Sequence, residues 1–159
     1  THVHSNTGEL IPTQPIVDMA RERDTWSIVD VAQSAGVIPI DLEVTTPDFM
    51  VGSTVKWLCG GPGAGFLWAN PDVVPLCEPT DVGWFSHEDP FEFDIGQFRY
   101  ANDARRFWGG TPNVASFAIA RRSIELLTIR KMTQITNDVP MNRISMAKNR
   151  FHGGSAWID

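Results

Sequence analysis

The sequence predicts an α/β fold, a three-layer sandwich built around a mostly parallel sheet. Two observations lead to this prediction. Short apolar runs bounded by turn residues alternate with helical periodicity over residues 1–69. Near-continuous apolar runs of this kind are typical of parallel strands that are covered on both faces. A chain of 159 residues with 42% hydrophobic residues is long enough to bury a core.

Charge and cysteine usage exclude several classes of function. The net charge is −6, and Lys and Arg are scattered, so neither nucleic acid nor an anionic membrane is an expected partner. No apolar run approaches the ~20 residues of a membrane span. Cys59 and Cys77 do not form a disulfide framework, which favours a reducing, cytoplasmic compartment and structural thiols. The four histidines lack metal-ligand spacing, so no metal is expected.

The elements of the first half follow from apolar spacing and from the turn residues between them. In chain order they are a strand end over residues 1–5, a helix over 15–23, strands over 26–31, 48–53 and 66–69, and a glycine turn over 60–65.

The second half begins with a long aromatic stretch over residues 70–108, which has little periodicity and is more typical of a functional loop than of filler. Thr111 followed by Pro112 indicates a helix start, and the helix is expected to run from Val114 to about Leu127. The chain lacks an initial methionine and ends on a strand-like run, so a fragment of a larger protein is expected.

Lys56 is the sharpest candidate for chemistry. It lies between Val55 and Trp57, and such a lysine is not expected to be a solvated surface charge. Burying an ammonium is costly unless it is paired, neutralised or used covalently. A lysine in such surroundings can form a Schiff base with a carbonyl. The alternative is a lysine whose stem is buried while its amine reaches water.

Asp30 is the second candidate, because it ends a predicted buried strand, where α/β sheets place their ligands. The alternative is a helix-capping carboxylate. Two successive strands would bring Asp30 and Lys56 to one edge of the sheet. An amine and an acid in this arrangement suit pyridoxal 5'-phosphate (PLP), since lysine can hold the aldehyde and the acid can pair with the ring nitrogen.

Three further residues are weaker candidates for phosphate contacts. Ser53 and Thr111 carry hydroxyls, and Trp84 has an indole N–H that can donate a hydrogen bond. For each of them a capping or core role is the simpler interpretation. The glycine cluster over residues 60–65 lacks a P-loop ending and a dinucleotide spacing, so we interpret it as a tight turn that allows close backbone approach.

The core motifs resemble those of the class V aminotransferases in the fold type I superfamily of PLP enzymes. The resemblance covers most of residues 1–127. Kynureninase-like members are the nearest in the aromatic segment. The stretches that carry it are Val29–Gly36, Asp48-Phe49, Ser53–Leu58, Gly60–Gly63, Gly83–His87, Pro90-Phe91 and Gly110–Asn113, with Thr1–Gly8 fitting the preceding strand.

The resemblance implies a role for each candidate residue. Lys56 is the implied Schiff-base lysine and proton shuttle. Asp30 would pair with the ring nitrogen, and Gln33 would lie beside the phenolic oxygen. The remaining residues would lie near the phosphate or the ring edge, with Thr111 reaching across a dimer interface: Ser53, Thr1, Trp84 and Thr111.

The resemblance also implies a domain division and an assembly. Residues 1–127 would be part of the large PLP-binding domain, 128–150 a helical connection and 151–159 the start of a small C-terminal domain. Members are usually homodimers with shared active sites, and their substrates are amino acids. If the chain is a fragment, it lacks other cofactor and substrate contacts and should bind the cofactor poorly.

Hydrolytic C–C cleavage of the kynureninase type is the first reaction that the resemblance implies. Kynureninases usually carry Tyr before the lysine and His at the glutamine position, whereas this chain has Val55 and Gln33. Gln is commoner in the desulfurase and epimerase branches. A transaminase, desulfurase or epimerase therefore stays open, as does a non-catalytic scaffold.

Overall fold

A computed structural model of the protein describes residues 1–94 and 96–138, with helix side chains described through residue 129. Its first half contains one helix followed by three strands, so the predicted alternation of helices and strands is not seen in the described residues. In chain order the helices and strands are α1 (Thr13–Glu22), β1 (Ile28–Asp30), β2 (Phe49–Ser53), β3 (Gly65–Ala69) and α2 (Val114–Asp138), with three short 3₁₀ turns at Val74–Leu76, Trp84–Ser86 and Ala104–Phe107.

The three described strands form one sheet in the order β1-β2-β3. β1 runs parallel to β2, whereas β2 and β3 are antiparallel. The described sheet is therefore mixed, and the prediction of a mostly parallel sheet is wrong for these strands. The reason is the short connection over residues 54–64, because a parallel return needs a longer crossover, usually a helix.

The register of the parallel pair is fixed at its start by Asp48. Its Oδ2 accepts hydrogen bonds from the backbone N–H of Ser27 at 2.7 Å and from the Ser27 hydroxyl at 2.8 Å. In this register Ile28 lies opposite Phe49, and Asp30 lies opposite Val51. A slip by one residue would move every side chain to the other face, so this carboxylate helps to decide which face Asp30 occupies.

The sheet is packed on both faces. One core cluster lies on the α1 side and the other on the side of the aromatic segment, as expected from the alternation of side chains along a strand. The first contains Val17, Val29, Val31, Ala35 and Met50, with Leu58, Phe66 and Trp68 against it; the second contains Phe49, Ala69, Val74 and Cys77, with Leu67 and Phe107 against it.

Two local predictions need correction. Residues 1–5 do not form a strand; a single bridge joins Val3 to Leu10, because a turn containing Gly8 at a φ of +72° reverses the chain at once. The cap of α2 is Asn113 rather than Thr111, since the Asn113 side chain accepts from the Ser116 N–H at 3.3 Å.

α2 continues to Asp138, past the predicted end near Leu127. The predicted start of a small domain at residues 151–159 lies outside the described residues.

Candidate cofactor site

The candidate site lies where β1 and β2 end. Parallel strands end at the same edge of a sheet, and here the last residue of β1, Asp30, is opposite Val51. Ser53, the last residue of β2, lies two positions beyond Val51 and therefore on the same face as Asp30. The strand ends thus bring a carboxylate and a hydroxyl to one face at one edge.

The Asp30 carboxylate is exposed, and the loop that follows it fixes its direction. Its Oδ1 accepts a hydrogen bond from the Ala32 N–H at 2.7 Å. Its backbone carbonyl accepts from the His2 N–H at 2.8 Å, so the start of the chain lies alongside. Among the described residues, the second carboxylate oxygen has no hydrogen-bond partner, and it is available to a ligand.

Lys56 lies in a turn just after β2, and its side chain is exposed. The expectation that apolar neighbours bury this amine is wrong for this chain, because Val55 and Trp57 are themselves 46% and 53% exposed. The chain leaves the sheet at Ser53, and the turn is closed by the Cys59 N–H, which donates to the Lys56 carbonyl at 2.9 Å.

A close backbone approach joins the loop after β1 to the lysine turn. Gly36 has a φ of +98°, and a Cβ built on it would lie 2.8 Å from the Trp57 carbonyl oxygen. Only glycine fits this position without displacing its neighbour. The loop carrying Gln33 is therefore held against the residue that follows Lys56.

A second close approach supports the lysine turn from α2. A Cβ on Gly60 would lie 2.8 Å from the Thr54 Cβ and 2.9 Å from the Ala120 Cα. Thr54 is buried; its hydroxyl donates to the Ala64 carbonyl at 3.0 Å, and its own carbonyl accepts from the Gly60 N–H at 2.7 Å. The interpretation of the glycine cluster as a close-approach turn is confirmed.

Gln33, Ser53 and Thr1 lie around this edge. Gln33 is half-buried in the loop after β1. Ser53 is also half-buried, and its hydroxyl accepts from the Val55 N–H at 3.4 Å. Thr1 is exposed and donates to the Val3 carbonyl at 2.9 Å. The described structure brings these three residues to the same region as Asp30 and the lysine turn.

Trp84 and Thr111 are placed elsewhere. The Trp84 ring is 67% exposed and meets the Phe93 ring edge-on at 6.1 Å between centroids. Thr111 is exposed and precedes α2. Within residues 1–94 and 96–138, no hydrogen bond or ring contact links either residue to Asp30 or to Lys56.

Two polar side chains, the buried Arg106 and the half-buried His2, were not singled out from the sequence. Arg106 donates to the backbone carbonyls of Val74, Cys77 and Ala101, and so joins the start of the aromatic segment to its end. The His2 imidazole forms a hydrogen bond with the Ser34 hydroxyl at 2.9 Å. Neither residue belongs to a sequence motif that would reveal its role, because each has partners that lie about 30 positions away in the chain.

One cavity in the described structure lies apart from the candidate site. It has a volume of about 510 Å³ and lies between β3, the 3₁₀ turn over residues 104–107 and α2. Its lining is mostly apolar and includes Phe66, Trp108 and Phe117, but none of the seven predicted site residues. The candidate site is therefore an open sheet edge rather than a closed pocket in this chain.

Two absences concern the described residues. Over residues 1–94 and 96–138, no three His, Cys, Asp or Glu side chains are grouped so that they could hold a metal ion. In the same part of the chain, no helix has the length and apolar character needed to cross a bilayer.

Comparison with known proteins defines the family. Residues 1–145 match the family model for aminotransferase class V. The protein therefore belongs to the class V aminotransferase family, as the sequence motifs predicted, and the cofactor of this PLP-dependent enzyme family is pyridoxal phosphate.

Individual relatives differ in the reactions that their names give. Kynureninase from Pseudomonas fluorescens is 30% identical and is aligned over 85% of this chain and 32% of its own length. The uncharacterized aminotransferase YcbU from Bacillus subtilis (strain 168) is 32% identical, over 87% of this chain and 36% of its own. The chain thus spans about a third of the length of the curated relatives it matches.

Solved structures give the same fold. The cystine C–S lyase C-DES, in complex with cysteine persulfide, superposes with a TM-score of 0.70 at 28% identity, covering 81% of this chain and 34% of that one. A C-DES variant with glycine covalently linked to the PLP cofactor superposes with a TM-score of 0.64 at 25% identity, covering 82% and 34%. The described chain is thus part of a fold type I PLP enzyme.

The donor set at the sheet edge fits PLP. The cofactor offers an aldehyde that a primary amine can hold and a ring nitrogen that a carboxylate can pair with. Here the exposed Lys56 amine and the free oxygen of Asp30 follow the ends of adjacent parallel strands. The exposure of both groups leaves them accessible to a ligand.

Proposed function

We propose that this chain contributes the cofactor site of a PLP-dependent enzyme that acts on an amino acid. The observation that carries the proposal is the parallel pairing of β1 and β2. Because the two strands are parallel, Asp30 at the end of β1 and the end of the strand that leads to Lys56 lie at the same edge of the sheet. Family membership supports the cofactor. Since the chain spans about a third of its relatives, the activity belongs to the longer protein.

Each site residue has a proposed role toward the bound cofactor. When bound, PLP supplies an electron sink for the substrate α-carbon. Lys56 holds the aldehyde and moves the proton at the α-carbon, which an accessible amine on a turn can reach. Asp30 binds and keeps a proton on the ring nitrogen. Gln33 orients the ring from the loop after β1. The proposed contacts to the phosphate or ring edge are Ser53, Thr1, Trp84 and Thr111.

Hydrolytic C–C cleavage of the kynureninase type is the proposed reaction, supported by the identity to the Pseudomonas fluorescens enzyme. The fold similarity to a cystine C–S lyase favours a second candidate, a desulfurase-like cleavage, and Gln33 agrees with that branch. A class V aminotransferase is the third, on the likeness to the Bacillus subtilis protein. An epimerase and a non-catalytic scaffold are the remaining alternatives.

The proposed assembly is a cytoplasmic homodimer. The remote, exposed positions of Trp84 and Thr111 agree with contacts made across a dimer interface. In the proposed domain division, residues 1–127 belong to the large domain of a three-layer sandwich, 128–150 connect the domains and 151–159 begin the small one.

Trapping with borohydride tests the cofactor assignment. Incubating the protein with PLP and reducing it should leave a pyridoxyl group on the peptide that contains Lys56, because reduction makes the lysine–aldehyde linkage permanent. Lys56→Ala should lose the adduct while keeping the parent circular dichroism spectrum, since an exposed turn side chain contributes little to stability.

Lys131→Ala is the matched control and should label like the parent. An adduct that persists in Lys56→Ala would contradict the assignment, and a parent that forms none would favour the scaffold. For the reaction, anthranilate release from kynurenine by the full-length protein would support the first candidate. Sulfide release from cysteine, or amino-group transfer to a keto acid, would support the others.

A further inference from the structure

We infer that His2 is a positioning residue for the proposed cofactor site, acting through Ser34 on the loop that joins Asp30 to Gln33. This inference rests on the proposed function and adds to it a residue that does not itself touch the cofactor. It is carried by the contacts of His2 on both sides of that loop.

His2 binds the loop at its beginning and at its centre. Its backbone N–H donates to the Asp30 carbonyl at 2.8 Å. Its Nδ1 is 2.9 Å from the Ser34 hydroxyl, 32 positions further along the chain. One residue thus holds both ends of the segment Asp30–Ser34, and Gln33 lies between the two contacts.

Ser34 is the centre of this loop and is completely buried. Its N–H donates to the Val31 carbonyl at 3.0 Å, and its own carbonyl accepts from the Val37 and Ile38 N–H groups at 3.0 and 2.9 Å. The loop closes around a buried hydroxyl, which also donates to the Val31 carbonyl at 3.3 Å, so the His2 imidazole is the shorter of its two hydrogen-bond contacts and the one that comes from outside the loop. The imidazole is therefore coupled to the loop conformation.

The loop conformation in turn sets the direction of the Asp30 carboxylate. Its Oδ1 is held by the Ala32 N–H inside the same segment. When the His2–Ser34 bond is lost, the segment loosens and both Asp30 and Gln33 lose their fixed orientation. A purely structural role would lower the stability of the chain and raise amide exchange in the loop but leave cofactor affinity unchanged.

Two substitutions separate the ring nitrogens. Asn places an amide group at the position of Nδ1, whereas Gln places it at that of Nε2. We expect His2→Asn to keep the parent properties. In His2→Gln, PLP should bind about threefold to fivefold more weakly, a factor equivalent to one intramolecular hydrogen bond. Amide hydrogen exchange at Ser34 and Ala35 in the cofactor-free chain should rise by a similar factor.

His4 provides the matched control. Its Nδ1 also bonds a hydroxyl, that of Thr7 at 3.0 Å, but within its own exposed turn. His4→Asn and His4→Gln should leave PLP affinity and loop exchange unchanged. Ser34→Ala should weaken PLP binding at least as much as His2→Gln, because it removes the His2 contact together with the bond from the Ser34 hydroxyl to the Val31 carbonyl. The double variant should show no loss beyond that of Ser34→Ala, because the His2 contact is already absent in it.

Three outcomes overturn the inference. The first is His2→Gln binding PLP like the parent, with or without a rise in exchange at Ser34. The second is an equal effect of the His4 variants. The third is full additivity of His2→Gln and Ser34→Ala. These measurements use the full-length protein; if the full-length parent binds no PLP, the proposed function itself is overturned and this inference with it, so the two failures are distinguishable. Should His2→Gln fail to fold, Ser34→Ala carries the same comparison.

Discussion

At the scale of single residues, local composition identified candidate residues such as Lys56 but did not predict whether their side chains are buried. Lys56 was singled out because Val55 and Trp57 flank it, and apolar neighbours were expected to bury the amine. In the structure all three side chains are exposed, since the turn after β2 leaves the sheet. The chemistry proposed for Lys56 therefore rests on where its strand ends and not on desolvation. Sequence neighbours report burial only when the backbone is regular.

Two long-range polar contacts, one beside the candidate site and one within the aromatic segment, could not be read from the sequence. His2 meets Ser34 across 32 positions, and Arg106 meets the carbonyls of Val74 and Cys77 across about as many. No local pattern encodes such pairs, because they exist only after the chain has closed. Asp30, by contrast, was found from its position at the end of an apolar run.

The two cysteines should differ strongly in reactivity. Cys59 is exposed, whereas Cys77 is buried, and burial raises the pKa of the Cys77 thiol although the charge of Arg106 opposes this. Alkylation needs an accessible thiolate. Under native conditions iodoacetamide should modify Cys77 at least about tenfold more slowly than Cys59, as measured by peptide mass spectrometry.

Unfolding in urea supplies the control, since both thiols should then react at similar rates. Equal rates in the native chain would contradict the buried position of Cys77. Cys59→Ala should remove the fast-reacting peptide and leave the slow one.

At the scale of elements, helices and strands with clear apolar periodicity were predicted close to their observed bounds. α1 and the three strands are examples. The failures occur where a turn overrides the pattern. Gly8 reverses the chain within the predicted first strand, and the short connection over residues 54–64 makes β3 antiparallel. The start of α2 depends on the Asn113 side chain, which caps the helix. The sequence alone does not distinguish this cap from one at Thr111, because Thr111 followed by Pro112 is also a typical helix start.

The contact between the glycine turn and α2 gives an element-scale prediction. Gly60→Ala should destabilise the chain by about 1–3 kcal/mol, because the new methyl group would overlap Thr54 and the α2 backbone at Ala120. Gly60 has no positive φ, so the effect is one of packing rather than of backbone strain. Urea denaturation monitored by circular dichroism measures the change.

Gly110 is the matched glycine. A Cβ there would meet nothing within 4 Å, and its φ is not positive. Gly110→Ala should stay within about 0.5 kcal/mol of the parent. If Gly60→Ala were equally neutral, α2 would not lie against this turn.

At the scale of the whole molecule, the pH dependence of stability should include a contribution from His2. Burial lowers the pKa of the imidazole below its ordinary value of 6.5, and the positive charge of the chain's amino terminus adds to this. As pH falls through 6.5, the unfolded chain takes up a proton that the folded chain does not, so the parent loses stability. The loss ends below the folded pKa.

His2→Asn isolates this contribution, because Asn keeps the hydrogen bond and does not titrate. The free energy of unfolding of the parent, relative to that of His2→Asn, should decrease as the pH is lowered from about 8 to about 5. A constant difference over this range, measured by urea denaturation at each pH, would contradict a lowered pKa.

The family and its cofactor could be predicted from the sequence because the motifs around Asp30 and Lys56 are local and specific. The choice among reactions could not be predicted. The aromatic segment resembles that of kynureninases, Gln33 is commoner in the desulfurase and epimerase branches, and Val55 is typical of neither group. The chain spans about a third of the length of the curated relatives it matches, so its residues alone do not decide among these reactions.

The mixed sheet has a consequence for how the cofactor edge is assembled. β2 and β3 are joined by residues 54–64, whereas β1 and β2 are joined by the longer segment 31–48. The entropy lost on closing a loop grows with its length, so the antiparallel pair is the cheaper one to close. The strand before Lys56, β2, belongs to both pairs, whereas Asp30 belongs only to the parallel pair, whose longer connection loses more entropy on closing. The strand before Lys56 is therefore held on both of its sides, whereas the alignment of Asp30 within the sheet depends on the parallel pair alone.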